Sequence, residues 1–394
     1  NFKNHHDLDI LFISHLLNPK DLNKNIDFYF SDLSIYLKKK GFKSITALIN
    51  HTNDKTLNST NNYFFYNSKF ILKNNLGFKK EFSNFLKLFS ESFNLYILSI
   101  AESDKLKKKI YIKAAVELVS PTTMHILRIP SQISYILKIT KPSVLISTYE
   151  GHSWEKLIYK QAHSLNYNIK CLGYTHAPFF KYQHGISRFI GQGYDPDQIL
   201  TSGKKQKQYL LNNIKYKNTP ILILGSQRIN KNYYKIPKTI YKKDKFCLVL
   251  PEGILSEIKI LFDFSYKCAK QNPDLKFIWR LHPIIPIKSL KKINPLYDFL
   301  PNNLKISQNP NIENDFEKCS WALYRGSSTS IQALTFGLKP IYYKRDNEMN
   351  FDPFYDLKDW RLEVKNVEDL VKIMMSKIIF DNSFVKAKEF AQDI

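Results

Sequence analysis

Two short segments carry residue types suited to holding a phosphate. Phe277-Ile278-Trp279-Arg280-Leu281-His282-Pro283 runs from apolar residues into an Arg, a His and a Pro. Tyr324-Arg325-Gly326-Ser327-Ser328-Thr329-Ser330 runs from an aromatic into an Arg, a Gly and a series of hydroxyls. An imidazole gives a phosphate oxygen a hydrogen bond or a proton, and a guanidinium fork matches phosphate or carboxylate. A Ser-Ser-Thr loop opening a helix adds hydroxyls and unbonded N–H groups. Arg280 and His282 fall on one side of an extended strand, because side chains alternate. An acidic residue followed by Gly closes two other apolar runs, at Tyr149-Glu150-Gly151 and Pro251-Glu252-Gly253. A carboxylate there can accept a proton from a hydroxyl or hold polar hydroxyls, and the Gly permits the turn.

Composition sharpens the arginines. The net charge is +24 from 59 Lys plus Arg, of which 7 are Arg and hence 52 are Lys. The lysine excess reads as a biased, solvated surface. Arginines retained in such a chain are therefore expected where guanidinium geometry matters: Arg280, Arg325 and Arg345 in or after the two segments, and Arg228 at the end of an apolar run. An apolar fraction of 43% describes a globular chain. Cys171, Cys247, Cys268 and Cys319 lie in apolar surroundings without CxxC spacing, as buried thiols of a reducing compartment do. No stretch approaches the roughly 18–20 apolar residues that span a bilayer, and no signal peptide is visible. The chain opens on Asn1 rather than Met, as a trimmed protein or an excised domain does.

Alternating strands and helices must position these loops. Strands are expected at 9–14, 43–49, 143–148, 169–174 and 198–201, with helices at 32–40 and 154–165. The stretch from 50 to 109 is rich in aromatics and Lys and yields no assignment. A polar, basic, Pro-containing linker is expected at 227–244. The rhythm then restarts with strands at 246–250, 277–281, 304–306, 321–324 and 340–343, and helices at 255–269, 330–336, 367–379 and 385–391. Gly337 is placed to close the helix before it. The fold class is α/β, with two Rossmann-like domains facing across a cleft and C-terminal helices. Residues 1–235 form the first domain and 236–394 the second. Ligands of such sheets sit in loops at the carboxyl ends of the strands.

His282-Pro283, Ser327-Ser328 and Tyr149-Glu150-Gly151, in this order relative to two α/β domains, resemble the motifs of GT-B glycosyltransferases that use CMP-activated acidic sugars. These are the bacterial sialyltransferases and capsule Kdo transferases. The run Glu150-Gly151-His152-Ser153-Trp154-Glu155, with Gly173-Tyr174-Thr175-His176, is similar to bacterial surface-carbohydrate biosynthesis proteins. The resemblance covers roughly residues 140–360. The sialyltransferase pattern often has two acidic residues before the Gly, where this chain has Tyr149-Glu150.

The resemblance implies a metal-independent enzyme moving a Kdo- or sialic-acid-like sugar from CMP to a bacterial surface glycan or a lipid-linked glycan. Glu150 would be the base and His282 the donor of a proton or hydrogen bond to the phosphate. Glu252, Gly253, Arg280, Pro283, Arg325, Gly326, Ser327, Ser328 and Thr329 would hold the nucleotide and donor, and His152, Trp154 and His176 would line the acceptor side. Glu155 is expected on a solvated or salt-bridged helix face. The expected location is the cytoplasm, with peripheral contact at the inner face of the plasma membrane through Lys38-Lys39-Lys40 and Lys107-Lys108-Lys109. No cofactor beyond the CMP-sugar substrate is expected. Asp195-Pro196-Asp197 has DxD spacing, but its central Pro reads as a loop rather than a metal site. Arg280-Leu281-His282-Pro283 with Ser327-Ser328 also resembles the CDP-glycerol glycerophosphotransferases, which with the sugar-nucleotide epimerases of GT-B architecture are the alternative readings on the same fold. A nucleic-acid-binding protein is the remaining reading of the +24 charge, and the dispersed lysines without an RNA-binding motif weigh against it.

Overall fold

A computed structural model describes residues 8–394 apart from 53, 55–56, 58–62, 67, 166, 183–184, 227–245, 284, 358 and 377. The expected linker, the 235/236 boundary and Arg228 lie outside the described residues. The chain divides into two units. One comprises Asn1–Thr175, Gly185–Leu200 and Asn218–Leu222; the other comprises His176–His184, Thr201–Lys217 and Ile223–Ile394. Two short segments that precede the linker in sequence thus belong to the second unit.

The first unit is built on β1 (Ile10–Leu16), β2 (Ser44–Asn50), β3 (Phe64–Tyr66), β4 (Lys69–Ile71), β5 (Val144–Thr148), β6 (Lys170–Thr175), β7 (Gln198–Thr201) and β8 (Ile221–Ile223). Their order in the sheet is β3-β4-β2-β1-β5-β6-β7-β8. β1 pairs in parallel with β2 and β5, from Ile10 opposite Val144 to Ile13 opposite Ser147, and β3 with β4 is antiparallel. β1 and β5 are buried along most of their length, so they read as continuous apolar runs, as central parallel strands do. Counting the strands β1, β2, β4, β5, β6 and β7 in chain order, the sheet runs 3-2-1-4-5-6, and its order reverses between β1 and β5.

The unassigned region holds the β3–β4 pair and two helices, Phe78–Ala101 and Lys105–Leu118, with Pro121–Thr140 following. Asp104 caps the second of these by accepting the N–H groups of Leu106 and Lys107, at 2.8 and 3.0 Å. Ser120 caps the third, which has Pro121 at its first position and ends at Lys141 in the left-handed region (φ 42°). Many of the aromatics here are exposed. Apolar periodicity in this stretch therefore does not mark a core face.

The second unit carries β9 (Phe246–Leu250), β10 (Lys276–Trp279), β11 (Leu304–Ile306), β12 (Cys319–Tyr324), β13 (Lys339–Tyr343) and β14 (Leu362–Val364), in the order β11-β10-β9-β12-β13-β14 with every pair parallel. This is again 3-2-1-4-5-6, reversing between β9 and β12. Helix Leu255–Gln271 packs Phe262 flat on Trp279 at 4.1 Å between ring centroids, and the Trp279 indole N–H donates to Ser265 at 2.8 Å. Gly337 (φ 81°) ends helix Thr329–Thr335, its N–H bonding Leu334 while that of Leu338 bonds Ala333. Helices Val367–Met375 and Asn382–Asp393 close the chain. All four cysteines are buried and unbridged, and among the described residues no helix is long and apolar enough to cross a membrane.

Candidate active site

In the first unit the carboxyl ends of β1 and β5 bring ionisable groups together. Glu150, two residues past β5, sits 3.1 Å from the His152 ring, which holds the imidazole above its usual pKa, chiefly through this hydrogen bond. His152 stacks against Trp154 at 6.5 Å, and Trp154 meets the His15 ring edge-on at 5.5 Å. His15, on β1, bonds Thr148 at 3.0 Å through Nε2 and His51 at 2.8 Å through Nδ1. The strand-order reversal in this unit is therefore bridged by a His–Thr hydrogen bond. Burial keeps His51 below the usual imidazole value. Sequence reasoning missed both: His15 lies inside β1, beyond the apolar run that reads as ending at Ser14, and His51 follows β2 directly.

Glu155 departs most from expectation. It is not on a solvated face but fully buried. Its carboxylate turns back from helix Ser153–His163 and accepts the N–H groups of Glu150 (3.0 Å), Gly151 and His152 (both 2.8 Å). Burial pushes its pKa up to about 8, outweighing the backbone N–H groups that pull it down. Gly151 (φ 85°) passes so close to Gly185 that an added Cβ would lie 2.3 Å from its carbonyl carbon. Only Gly fits there. Loop 150–152 is thus fixed from below by Glu155 and from the side by Gly185, which sets the direction of the Glu150 carboxylate.

In the second unit the loops after β9 and β12 meet. Glu252, in the loop with Gly253, accepts the Gly326 N–H at 2.7 Å across the place where strand order reverses. Burial raises the Glu252 pKa and nearby Glu257 adds to the shift, against the Gly326 N–H and Arg325. Arg325 is turned into the unit: it is 4% exposed, with Nε on Glu257 at 2.8 Å and Nη2 on Glu348 at 2.6 Å. Arg280 behaves alike, bonding Ser307 at 3.2 Å and the buried Asp315 at 3.0 Å. The guanidiniums expected at a donor are therefore committed to protein groups that order neighbouring loops. β10 stops at Trp279 rather than reaching Leu281; the Arg280 N–H still bonds the Val249 carbonyl at 3.1 Å, and the His282 carbonyl accepts the Ile285 N–H at 3.0 Å, so His282 opens a turn that carries the exposed Pro283.

The Ser327 carbonyl accepts from the Ser330 N–H at 3.1 Å and its hydroxyl at 2.7 Å. The hydroxyls of Ser327, Ser328 and Thr329, by contrast, make no protein hydrogen bond among the described residues. Ser328 and Gln332 line a small, open pocket with His176, Ser202, Gln206 and Ser226. His176, expected on the acceptor side of the first domain, belongs instead to the second unit and faces the Ser-Ser loop's pocket. The turn after β6 carries it out of the first unit.

The DxD stretch is used structurally. Asp195 holds Lys156 at 2.9 Å and the Tyr149 hydroxyl at 2.7 Å. Asp197 accepts the Cys171 N–H at 2.7 Å and lies 3.3 Å from His163. His163, Cys171 and Asp197 are the group among the described residues whose ligand atoms lie within 4.8 Å of one another. It sits near the amino-terminal end of β6, away from Glu150.

No protein-family model matches the chain, and no curated protein matches its sequence. Solved structures match over almost its whole length. The glycotransferase of kitacinnamycin is 11% identical, covering 98% of this chain and 94% of that one, with a TM-score of 0.54. The UDP-GlcNAc 2-epimerase of Methanocaldococcus jannaschii, in complex with UDP-GlcNAc and UDP, is 14% identical, covering 98% of each, with a TM-score of 0.55. The UDP-N-acetylglucosamine 2-epimerase from Rickettsia bellii is 12% identical, covering 98% of this chain and 93% of that one, at 0.54. The chain has the α/β fold of these proteins, the GT-B class, with two Rossmann-like units and C-terminal helices.

Proposed function

We propose that this protein is a glycosyltransferase that takes a nucleotide-activated sugar. The observation that carries the reading is the placement of polar loops where each sheet's strand order reverses, Glu150 with His15 and Thr148 in one unit and Glu252 with Gly326 in the other. Glu150 takes the proton of an acceptor hydroxyl as its oxygen bonds to the anomeric carbon. The bond from that carbon to the phosphate breaks, and the electron pair leaves on the phosphate oxygen. His282 answers that charge with a hydrogen bond or proton. Ser327, Ser328 and Thr329 supply hydroxyls to the phosphate, and Glu252 a carboxylate oxygen to ribose or base. Glu155 is a positioning residue that aims Glu150. Arg280 and Arg325 act by ordering the donor loops.

The donor read from the His-Pro and Ser-Ser motifs is CMP carrying a Kdo- or sialic-acid-like sugar, and the acceptor is a surface or lipid-linked glycan. Calorimetric titration with CMP, CDP and UDP tests the nucleotide, with CMP expected to bind most tightly. Tighter UDP binding overturns the donor class. The epimerase neighbours favour a second reading, a UDP-GlcNAc 2-epimerase. Incubation with UDP-GlcNAc alone separates the two, because epimerisation needs no acceptor.

A further inference from the structure

Helices Phe78–Ala101 and Lys105–Leu118 form a hairpin joined by three residues, tied where the Ser92 hydroxyl donates to the Ala115 carbonyl at 2.7 Å. The first helix buries Asn84, Leu88 and Ser99. Its other side is apolar and uncovered. Phe78, Phe82, Phe85, Phe89, Phe93 and Ile100 are between 42% and 84% exposed. At 3.6 residues per turn these six positions fall within about 80° of arc and extend for roughly 33 Å. Scattered exposed apolar side chains need no explanation, but a continuous aromatic stripe marks a surface that something covers.

Charge identifies what. The second helix opens with Lys105, Lys107, Lys108 and Lys109, adds Lys113 a turn later, and has no acidic residue before Glu117; all five lysines are exposed. The Glu102–Asp104 connection sets this basic run beside the Tyr96–Ile100 end of the stripe. Two copies meeting here would oppose two such runs on chains of net charge +24. An anionic lipid surface instead takes both features: phenyl rings enter the boundary between headgroups and acyl chains, and lysine ammonium groups reach the phosphates. We propose that this hairpin docks the protein on an anionic bilayer, its first helix lying in the interface plane. This goes beyond glycosyl transfer and depends on no catalytic step.

Flotation of the full chain with phosphatidylcholine vesicles, with and without phosphatidylglycerol, tests it. Binding is expected with phosphatidylglycerol and is expected to weaken with salt. The triple variant Phe82→Gln, Phe89→Gln, Phe93→Gln exchanges exposed rings for a good helix former, so circular dichroism and Tm stay unchanged while binding falls roughly tenfold or more. Lys107→Gln, Lys108→Gln, Lys109→Gln is expected to remove the preference for the anionic vesicles. Wild-type protein that fails to float at low salt overturns the proposal, as does a folded Phe variant that floats like wild type. A wild-type dimer that ignores vesicles and dissociates in the Phe variant assigns the stripe to a second copy instead.

Discussion

The two strand-order reversals share a topology and differ in chemistry. In the first unit the gap between β1 and β5 holds titratable side chains: the half-exposed Glu150–His152 pair, the His15–His51 contact and a buried Glu155 beneath. In the second, the gap between β9 and β12 holds one carboxylate bonded to a backbone N–H and a series of hydroxyls. Under the proposed function the first region would move a proton and the second would hold a charged group by hydrogen bonds. Arg280, Arg325 and Arg345, which scarcity marked as ligand-facing, are turned to protein carboxylates instead. Arg128, Arg280, Arg325, Arg345 and Arg361 each pair with a protein carboxylate. A planar fork is as useful for clamping internal carboxylates as for phosphate.

The largest effect expected from breaking this contrast is at Arg325. Removing it as Arg325→Ala leaves the half-buried Glu257 without its cation and Glu348 with Arg345 alone, at a cost of about 3 kcal/mol. Denaturant unfolding reads the loss. Arg325→Lys should restore only part of it, since a point charge does not span both carboxylates. An unchanged unfolding midpoint with weakened nucleotide binding would return Arg325 to the ligand.

A smaller, pH-dependent effect is expected at Glu155. Its folded pKa, about 8, stands above its unfolded value. The folded state therefore binds more protons between the two, and stability falls as pH rises through that window. Glu155→Gln removes the titration, so wild type should lose ground to the variant in Tm from about pH 5 to pH 8. Parallel Tm curves would show that Glu155 is ionised throughout. The smallest effect is expected in the hydroxyl loop, where Ser328→Ala should weaken nucleotide binding by about 1 kcal/mol, roughly fivefold, with Tm unchanged. An unaltered affinity would remove Ser328 from the site.

Much of the fold was legible because central parallel strands bury both faces and appear as unbroken apolar runs: β9 has the expected bounds and β5 differs by one residue, while the short β7 and the edge strand β11 also keep theirs. Residues 78–118 were not, because Phe82, Phe89 and Phe93 repeat at helical spacing on an exposed face. The acidic-Gly loops could be found because each follows such a run. His15 could not, since it lies inside β1 at a place where the apolar run had been closed at Ser14. Glu155 was hidden for another reason. Its helical position gives no sign that the carboxylate folds back, and His152 three residues earlier is not the hydroxyl of a usual capping box.

The central claim is that the first unit's reversal moves the proton. Acceptor-dependent release of nucleoside monophosphate from a nucleotide-sugar, compared between wild type and Glu150→Gln, tests it most directly. The predicted result is a turnover about 10²–10⁴-fold lower with nucleotide affinity unchanged. Full turnover in the folded variant would contradict it.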